Sequence, residues 1–418
     1  MSPISTAPAQ LTQSDAQLRG QFLREVLQLL YPQCSSTGEP GTRVAEYVVI
    51  PDARRPKLLV PLGSRRVAAA AVRRFAEPQS RLAKLKRDAV AVALQSGAWP
   101  AVLRDRVRLT SPAGGGDTID AFLREALGTD VRVSIHIGPA RANRKPVLQL
   151  ISPDGQTIGF AKLGVGPLTR RLVRAETAAL SALSHVQLSE VTVPSILHAG
   201  QWRGTQVLVQ SALPVWQARA ALTPARLQRA MTEVAAACGL TQGWLATSPY
   251  WADLRNRLCQ LEADTAAADR AAPEVAQLSQ AARFLVERCS ELSLRYGAWH
   301  GDWAPWNMAN LAGSLLVWDW ERFTPGVPLG FDAVHYDLQR QLQDGVDPQT
   351  AVESTVRRAP LLLEPFEVVP GSAEVVALLY LADLATRYLS DRQAEAGARL
   401  GVLGTWLLPV LIRKVAHL

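Results

Sequence analysis

Between positions 300 and 321 the chain reads His300-Gly301-Asp302-Trp303-Ala304-Pro305-Trp306-Asn307 and then, after a short gap, Leu315-Leu316-Val317-Trp318-Asp319-Trp320-Glu321. Transfer of a phosphoryl group asks two things of a protein besides holding the nucleotide. One carboxylate must orient the attacking hydroxyl and take its proton, and oxygen ligands must fix Mg2+ against the phosphates. Asp302 fits the first role. Asn307, five positions on, and Asp319, at the end of an apolar run, fit the second. His300 is expected to hold the loop by hydrogen bonds rather than act as a base, and Pro305 stiffens the turn between Asp302 and Asn307.

As a compound pattern, His-Gly-Asp-x-x-x-x-Asn followed by an apolar run and Asp-x-Glu resembles the aminoglycoside phosphotransferase and choline kinase-like family. The resemblance implies a two-lobed protein-kinase-like fold and an ATP-dependent phosphotransferase. The acceptor would be a hydroxyl of a small molecule such as a sugar, amino sugar or related metabolite. Mg2+ would be the metal and ATP the cosubstrate, with GTP left open. The family also has a lysine on the third small-lobe strand and a glutamate on the next helix. Lys162, in Gly159-Phe160-Ala161-Lys162, takes the first place and would contact the α/β-phosphates, with Phe160 on the same strand face roofing the base. Glu176 is the only acid between Asp154 and Glu190, so it is the candidate partner of Lys162. Gln210 to Leu213 is placed as the interlobe hinge, where backbone at Gln210 and Ala212 would meet the adenine edge.

The departures are as informative. Protein kinases commonly carry an arginine where this chain has Gly301, to grip a phosphorylated activation loop, and no D-F-G or A-P-E follows here. That weighs against a regulated protein kinase. The segment Gly138 to Lys145 lies between two strands but is not G-x-G-x-x-G. Either its backbone amides near Gly138 meet phosphate, with Arg141 or Arg144 nearby, or it is an exposed basic turn. Trp303 and Trp306 either stack on a ring of the acceptor or pack the loop. Trp318 and Trp320 are expected in the core. Asp332, in Gly330-Phe331-Asp332-Ala333-Val334-His335-Tyr336-Asp337, is expected to brace the loop. The motifs span about residues 118–340 and leave 1–110 unaccounted for.

The elements that must position these residues follow from periodicity. Ser14-Asp15-Ala16-Gln17 has capping-box spacing, and Leu18, Phe22, Val26 and Leu30 recur every four residues, which predicts a helix after a loose tail, Met1 to Leu11. Strand-like runs at Arg43 to Ile50 and Lys57 to Leu62 precede two helices, Ser64 to Phe75 and Arg81 to Leu94. Ser111 to Gly116 reads as a linker. A helix at Thr118 to Leu127 then leads into strands around 131–137, 147–151 and 157–163. A further helix (168–183) and more strand at 205–209 complete an antiparallel α+β unit. From Pro214 helical periodicity dominates: Arg226 to Cys238, Glu274 to Tyr296, Ala373 to Leu389 and Ala396 to Val415. The expected organisation is therefore α+β in three parts. An N-terminal basic α/β extension (1–110) precedes a small antiparallel-sheet lobe (118–213) and a large helical lobe (214–418).

Composition bounds the rest. With 418 residues, 48% hydrophobic and 20% charged, the chain is globular in character. Its four cysteines (Cys34, Cys238, Cys259, Cys289) form no zinc pattern and suit a reducing cytoplasm. No run is long enough for a membrane span, and Gly401 to Ile412 reads as a buried helix. The net charge of +8 is concentrated: residues 51–110 hold 14 Lys/Arg against 4 Asp/Glu. Such a segment is a solvated surface or a site for nucleic acid or another anionic surface. Two readings outside catalysis therefore stand beside the kinase: an inactive kinase fold that senses nucleotide, and a polyanion binder.

Overall fold

The structure is a computed structural model that describes residues 7–35, 41–75, 81–101, 103–111, 116–138, 143–267, 273–392 and 403–418. Arg141, most of the expected 111–116 linker and the first residues of the expected tail lie outside them. In chain order the elements begin with α1 (Ala7–Leu30), β1 (Thr42–Ile50), β2 (Leu58–Pro61), α2 (Arg65–Phe75), α3 (Arg81–Ser96), β3 (Arg106–Ser111) and α4 (Ile119–Leu127). Then follow β4 (Arg132–His136), β5 (Val147–Ile151), β6 (Thr157–Gly164), α5 (Pro167–Leu183), β7 (Val191–Thr192), β8 (Ile196–Trp202) and β9 (Thr205–Ser211). Next come α6 (Pro224–Ala236), β10 (Thr241–Trp244), α7 (Pro249–Ala267), α8 (Pro273–Arg288), β11 (Ser293–Trp299), β12 (Met308–Asn310), β13 (Leu315–Val317) and β14 (Thr324–Pro328). The last are α9 (Phe331–Gln343), α10 (Pro348–Arg357), α11 (Ala359–Leu363), α12 (Pro370–Ser390) and α13 (Leu408–Ala416).

The class is α+β, and the chain divides into two compact units. The first holds residues 1–174 and 195–212, and the second 175–194 and 213–418. In the first unit a single antiparallel sheet runs in the order β3-β1-β2-β4-β5-β6-β9-β8. Strands predicted on either side of the 111–116 linker are therefore neighbours: Leu58 and Leu59 of β2 pair with His136 and Ile135 of β4. Period-two alternation predicts strands but not which edges meet. One face of the sheet packs its apolar side chains, Ile135, Leu148, Leu150, Ala161, Leu163 and Val209 among them, against α1 and α4. On the same side, the Tyr31 hydroxyl hydrogen-bonds the Tyr47 hydroxyl and the Asp120 carboxylate, each at 2.5 Å, tying α1 and β1 to α4. α4 itself has a Thr118 cap whose hydroxyl accepts the Ala121 N–H, and Gly128 in the left-handed region closes it. α1 starts at Ala7, inside the segment expected as tail.

The second unit is built around α12, whose residues from Ala373 to Ala385 are almost all buried in the largest apolar cluster. α7, α8, α9, α10 and α13 contribute to that cluster. One expectation needs correcting here. The helix read over Glu274 to Tyr296 ends at Arg288, and Ser293–Trp299 is the strand β11, between β10 and β14. The strand is held by ladders to Thr241–Trp244 on one side and to β14 on the other, and Gly297 lets the α6 backbone come close, since a Cβ there would sit 2.4 Å from the Ala235 carbonyl oxygen. Of the buried helix expected at Gly401 to Ile412, and of the longer one expected at Ala396 to Val415, α13 forms only from Leu408, with Leu408, Val410 and Leu411 buried; Leu403–Thr405 is a turn of 3₁₀ helix, and residues 393–402 lie outside the described residues. Among the described residues no single helix is long and apolar enough to cross a membrane.

Candidate active site

β11 ends at Trp299 and delivers a tight loop whose conformation is set from three sides. Both carboxylate oxygens of Asp332, at the start of α9, accept backbone N–H groups, from His300 at 2.7 Å and Gly301 at 3.1 Å. The His300 ring lies inside the loop. Its Nδ1 accepts the Asp302 N–H at 3.1 Å, and its Nε2 donates to the Trp318 carbonyl at 3.1 Å. Burial pushes this imidazole down to about 4, so it is neutral at pH 7 and fixed in one tautomer. His300 thus holds the loop through both ring nitrogens. The third brace is Arg387 of α12, which donates to the Gly301 carbonyl at 2.5 Å. Gly301 has φ +82°, and a Cβ on it would meet the Arg322 carbonyl oxygen at 2.4 Å, so two independent reasons exclude any other residue.

Held this way, Asp302 presents a carboxylate that is 35% exposed in a largely buried surround. Asn307, in a turn of 3₁₀ helix, donates its Nδ2 to both the carbonyl and the Oδ2 of Asp302 at 2.9 Å each. That leaves the amide Oδ1 of Asn307 as the atom suited to accept a cation. His335 Nε2 lies 3.3 Å from the other oxygen of Asp302, while its Nδ1 hydrogen-bonds the Tyr380 hydroxyl at 2.9 Å; burial lowers this imidazole against the opposing pull of the Asp302 carboxylate. Burial would raise the Asp302 carboxyl, but His335 and the Arg387 charge outweigh it and hold the group below its ordinary range. Asp302 is therefore ionised at neutral pH. Asp332 behaves oppositely: burial lifts it to about 7 despite the two amides it accepts, each of which favours its ionised form.

Asp319 comes from the other arm of a hairpin. β12 and β13 pair Met308 with Val317, and the Trp318 N–H donates to the Asn307 carbonyl at 3.1 Å, which sets Asp319 next to Asn307 in space. Asp319 has φ +73°, a strained setting that aspartate tolerates better than most residues. Carboxylate oxygens of Asp319, Glu321 and Glu176 all lie within 4.8 Å of one another, with Glu176 and Glu321 buried. Three hard oxygen donors at that spacing are a set that Mg2+ accepts and a soft metal does not.

The structure thus brings Asp302, Asn307 and Asp319 together and adds Glu176 to them. Lys162, Gln210 and Ala212 belong to the first unit. Lys162 is buried on β6, on the same sheet face as Phe160, and Phe160 is in register with Gln210 on β9. The Ala212 N–H donates to the Ile158 carbonyl at 3.0 Å, one residue before the chain leaves that unit. Of the tryptophans, Trp303 and Trp320 are fully buried and pack the loop through edge contacts with His300. Trp318 is half-buried, and Trp306 is 47% exposed. Sequence reasoning left Glu321 unassigned although it closes the Asp-x-Glu motif. It also passed over His335, within the quoted 330–337 run. Arg387 carried no signal at all, being a lone cation in an apolar helix 86 positions from the carbonyl it holds.

No protein-family model matches the chain, and no curated protein matches it. Among solved structures, a thermostable mutant of an aminoglycoside phosphotransferase in complex with ADP and hygromycin B is similar at 16% identity. It covers 71% of this chain and 98% of its own, with a TM-score of 0.43. A fructosamine-3-kinase from Thermobifida fusca, so named in its description as putative, matches at 16% identity over 73% of this chain and 100% of its own, TM-score 0.43. An amicoumacin kinase bound to AMP-PNP, Ca2+ and amicoumacin matches at 11% identity over 71% and 92%, TM-score 0.42. At such scores and identities the function has to be argued from the residues of the site.

Proposed function

We propose that this protein is an ATP-dependent phosphotransferase that moves the γ-phosphate to a hydroxyl of a small molecule. The observation that carries the reading is the environment of Asp302: an ionised, part-exposed carboxylate pinned by Asn307 on one oxygen and approached by His335 on the other. A group so placed can accept a hydrogen bond from an incoming hydroxyl, orient its lone pair for in-line attack and take the proton as the new P–O bond forms.

Mg2+ fits the donor set beside it: Asn307 Oδ1 and the Asp319 carboxylate would hold the ion, with Glu321 and Glu176 completing the acidic surround. When bound, the ion neutralises phosphate charge and aligns the transferring group. Lys162 is assigned to the α/β-phosphates, Phe160 to the roof of the base, and Gln210 and Ala212 to its edge. ATP is the proposed cosubstrate, and GTP would use the same phosphate contacts. Gly301 supports a small-molecule acceptor, since the loop's grip is Arg387 on a backbone carbonyl rather than an arginine waiting for a phosphorylated segment. An inactive nucleotide sensor would have no physical need for the whole Asp302, Asn307 and Asp319 set.

The test is a metabolite-library incubation with ATP and Mg2+, read by mass spectrometry as gain of one phosphate. Asp302→Asn, nearly isosteric but unable to take the proton, is expected to abolish that gain while nucleotide binding persists. Near-normal turnover by this variant would refute the role assigned to Asp302.

A further inference from the structure

The N-terminal part of the first unit contains a helical hairpin whose outer face the phosphotransfer reading does not use. α2 packs on the sheet, with Val67, Ala68, Ala71 and Val72 in one apolar cluster with Val48, Leu58, Val60 and Ile151, and α3 packs on α2, adding Ala91 and Leu94 to that cluster. α3 is amphipathic twice over. Opposite its buried face, Leu82, Leu85 and Val92 are 61%, 67% and 58% exposed. Their spacing of three and seven, with exposed Ala89 between, puts them on one stripe of the helix. An outward aliphatic stripe of this kind costs solubility and asks for a cover.

The charge around the stripe says what kind. Lys84 and Lys86 are exposed on α3 and, among the described residues, have no ion-pair partner. Arg65 and Arg66 at the start of α2, Arg73 at its end, and Arg54 and Arg55 in the turn after β1 are also cationic. Of the acids of the segment, two are held by backbone N–H groups and one by its neighbour on α3. Asp52 accepts the N–H groups of Arg54 and Arg55, Asp105 accepts the Ala53 N–H at 2.6 Å, and Asp88 pairs with Arg87 at 2.9 Å. Glu77 lies outside the described residues. Arg106 and Arg108 share Glu46 and Arg87 takes Asp88, which leaves Lys84 and Lys86 as the exposed charges of α3 outside the ion pairs seen among the described residues.

We infer that the outer face of α3 docks on an anionic lipid surface, with Leu82, Leu85 and Val92 entering the headgroup–acyl boundary and Lys84 and Lys86 meeting the anionic headgroups. A helix lying in the interface plane needs an apolar stripe flanked by cations, and α3 has both. Nucleic acid would use the cations but gain nothing from exposed leucine and valine, and no aromatic side chain for base stacking lies on the stripe.

The full-length protein is cosedimented with vesicles of phosphatidylcholine, with and without phosphatidylserine, at low and high salt. Binding is expected only with phosphatidylserine and to weaken with salt. The double variant Leu82→Glu/Leu85→Glu should lose about tenfold or more, since burial of even one leucine side chain is worth that much. Lys84→Glu/Lys86→Glu should lose the phosphatidylserine dependence. All four positions are solvent-facing, so both variants should keep the wild-type circular dichroism spectrum. The inference is overturned by equal binding to phosphatidylcholine alone, by no vesicle binding, or by binding that both variants leave unchanged. It is equally overturned if the leucine variant instead disperses a dimer of the chain on size exclusion, or abolishes retention of an RNA homopolymer. Phosphotransfer by the leucine variant in solution should be unaffected, which separates failure here from failure of the proposed activity.

Discussion

The most exacting test of the site is a single methyl group. Gly301→Ala adds a Cβ that would lie 2.4 Å from the Arg322 carbonyl oxygen and 2.8 Å from the Arg322 Cβ, whereas ordinary contact begins at 3.4 Å. Backbone at residues 300–302 must therefore retreat by about 1 Å, the difference between 2.4 and 3.4 Å. The loop cannot retreat freely, because Asp332 holds two of its amides and Arg387 its carbonyl. The left-handed φ of +82° adds its own penalty for any residue with a Cβ. Together the backbone penalty of about 1–2 kcal/mol and overpacking of about 1–3 kcal/mol predict a loss of about 2–5 kcal/mol. Asp302 is the next residue, and a displacement of about 1 Å at a reacting group costs about a hundredfold in rate. The assay is urea denaturation for the first quantity and phosphotransfer to the acceptor returned by the metabolite screen, or to water, for the second. Nucleotide affinity should hold, since Lys162 and Gln210, the residues proposed to meet the inner phosphates and the base, are not on this loop. A Gly301→Ala protein with wild-type stability and turnover would refute the claim that this loop is over-determined and that its placement governs Asp302.

Asp319→Ala should remove the Mg2+-dependent part of nucleotide affinity, read by titration with and without the metal; an unchanged metal dependence excludes Asp319 from the site. His335→Ala should raise the Asp302 carboxyl, because burial then acts against one fewer opposing group. As the proposed base must be ionised, the acid limb of the kcat–pH profile should move to higher pH, and His335→Gln, which keeps a donor, should partly restore it. A profile that stays in place would mean that His335 does not tune Asp302. Trp306→Ala should raise KM for the acceptor with little change for ATP, Trp306 being the exposed aromatic of the loop; equal effects on both would make it structural.

The loop proposed as catalytic was legible because the chemistry proposed for it would restrict residue type and local spacing together. Asp302 and Asn307 are five positions apart, so one tight turn suffices to join them by hydrogen bonds, and the apolar run before Asp319 announces a buried strand. The amphipathic period of α1 was visible for a similar reason, since burial of one face leaves its imprint on every fourth residue at Phe22, Val26 and Leu30. Those elements are determined by short stretches of chain.

What the tertiary structure decided is everything that depends on distant segments meeting. Whether residues 1–110 formed a separate sheet was settled by β2 pairing with β4, a choice made by edge complementarity that no alternation pattern encodes. β11 reads as the end of a helix in the sequence because the strands that pair with it, β10 and β14, come from other stretches of the chain. The same holds for Arg387, which reads as a stray charge in an apolar helix until α12 brings it to the Gly301 carbonyl, and for Glu176, which joins Asp319 and Glu321 across more than a hundred residues. Local chemistry is written in local sequence. The supports that give it a geometry are long-range contacts, selected by the free energy of the whole packed chain rather than by any segment of it.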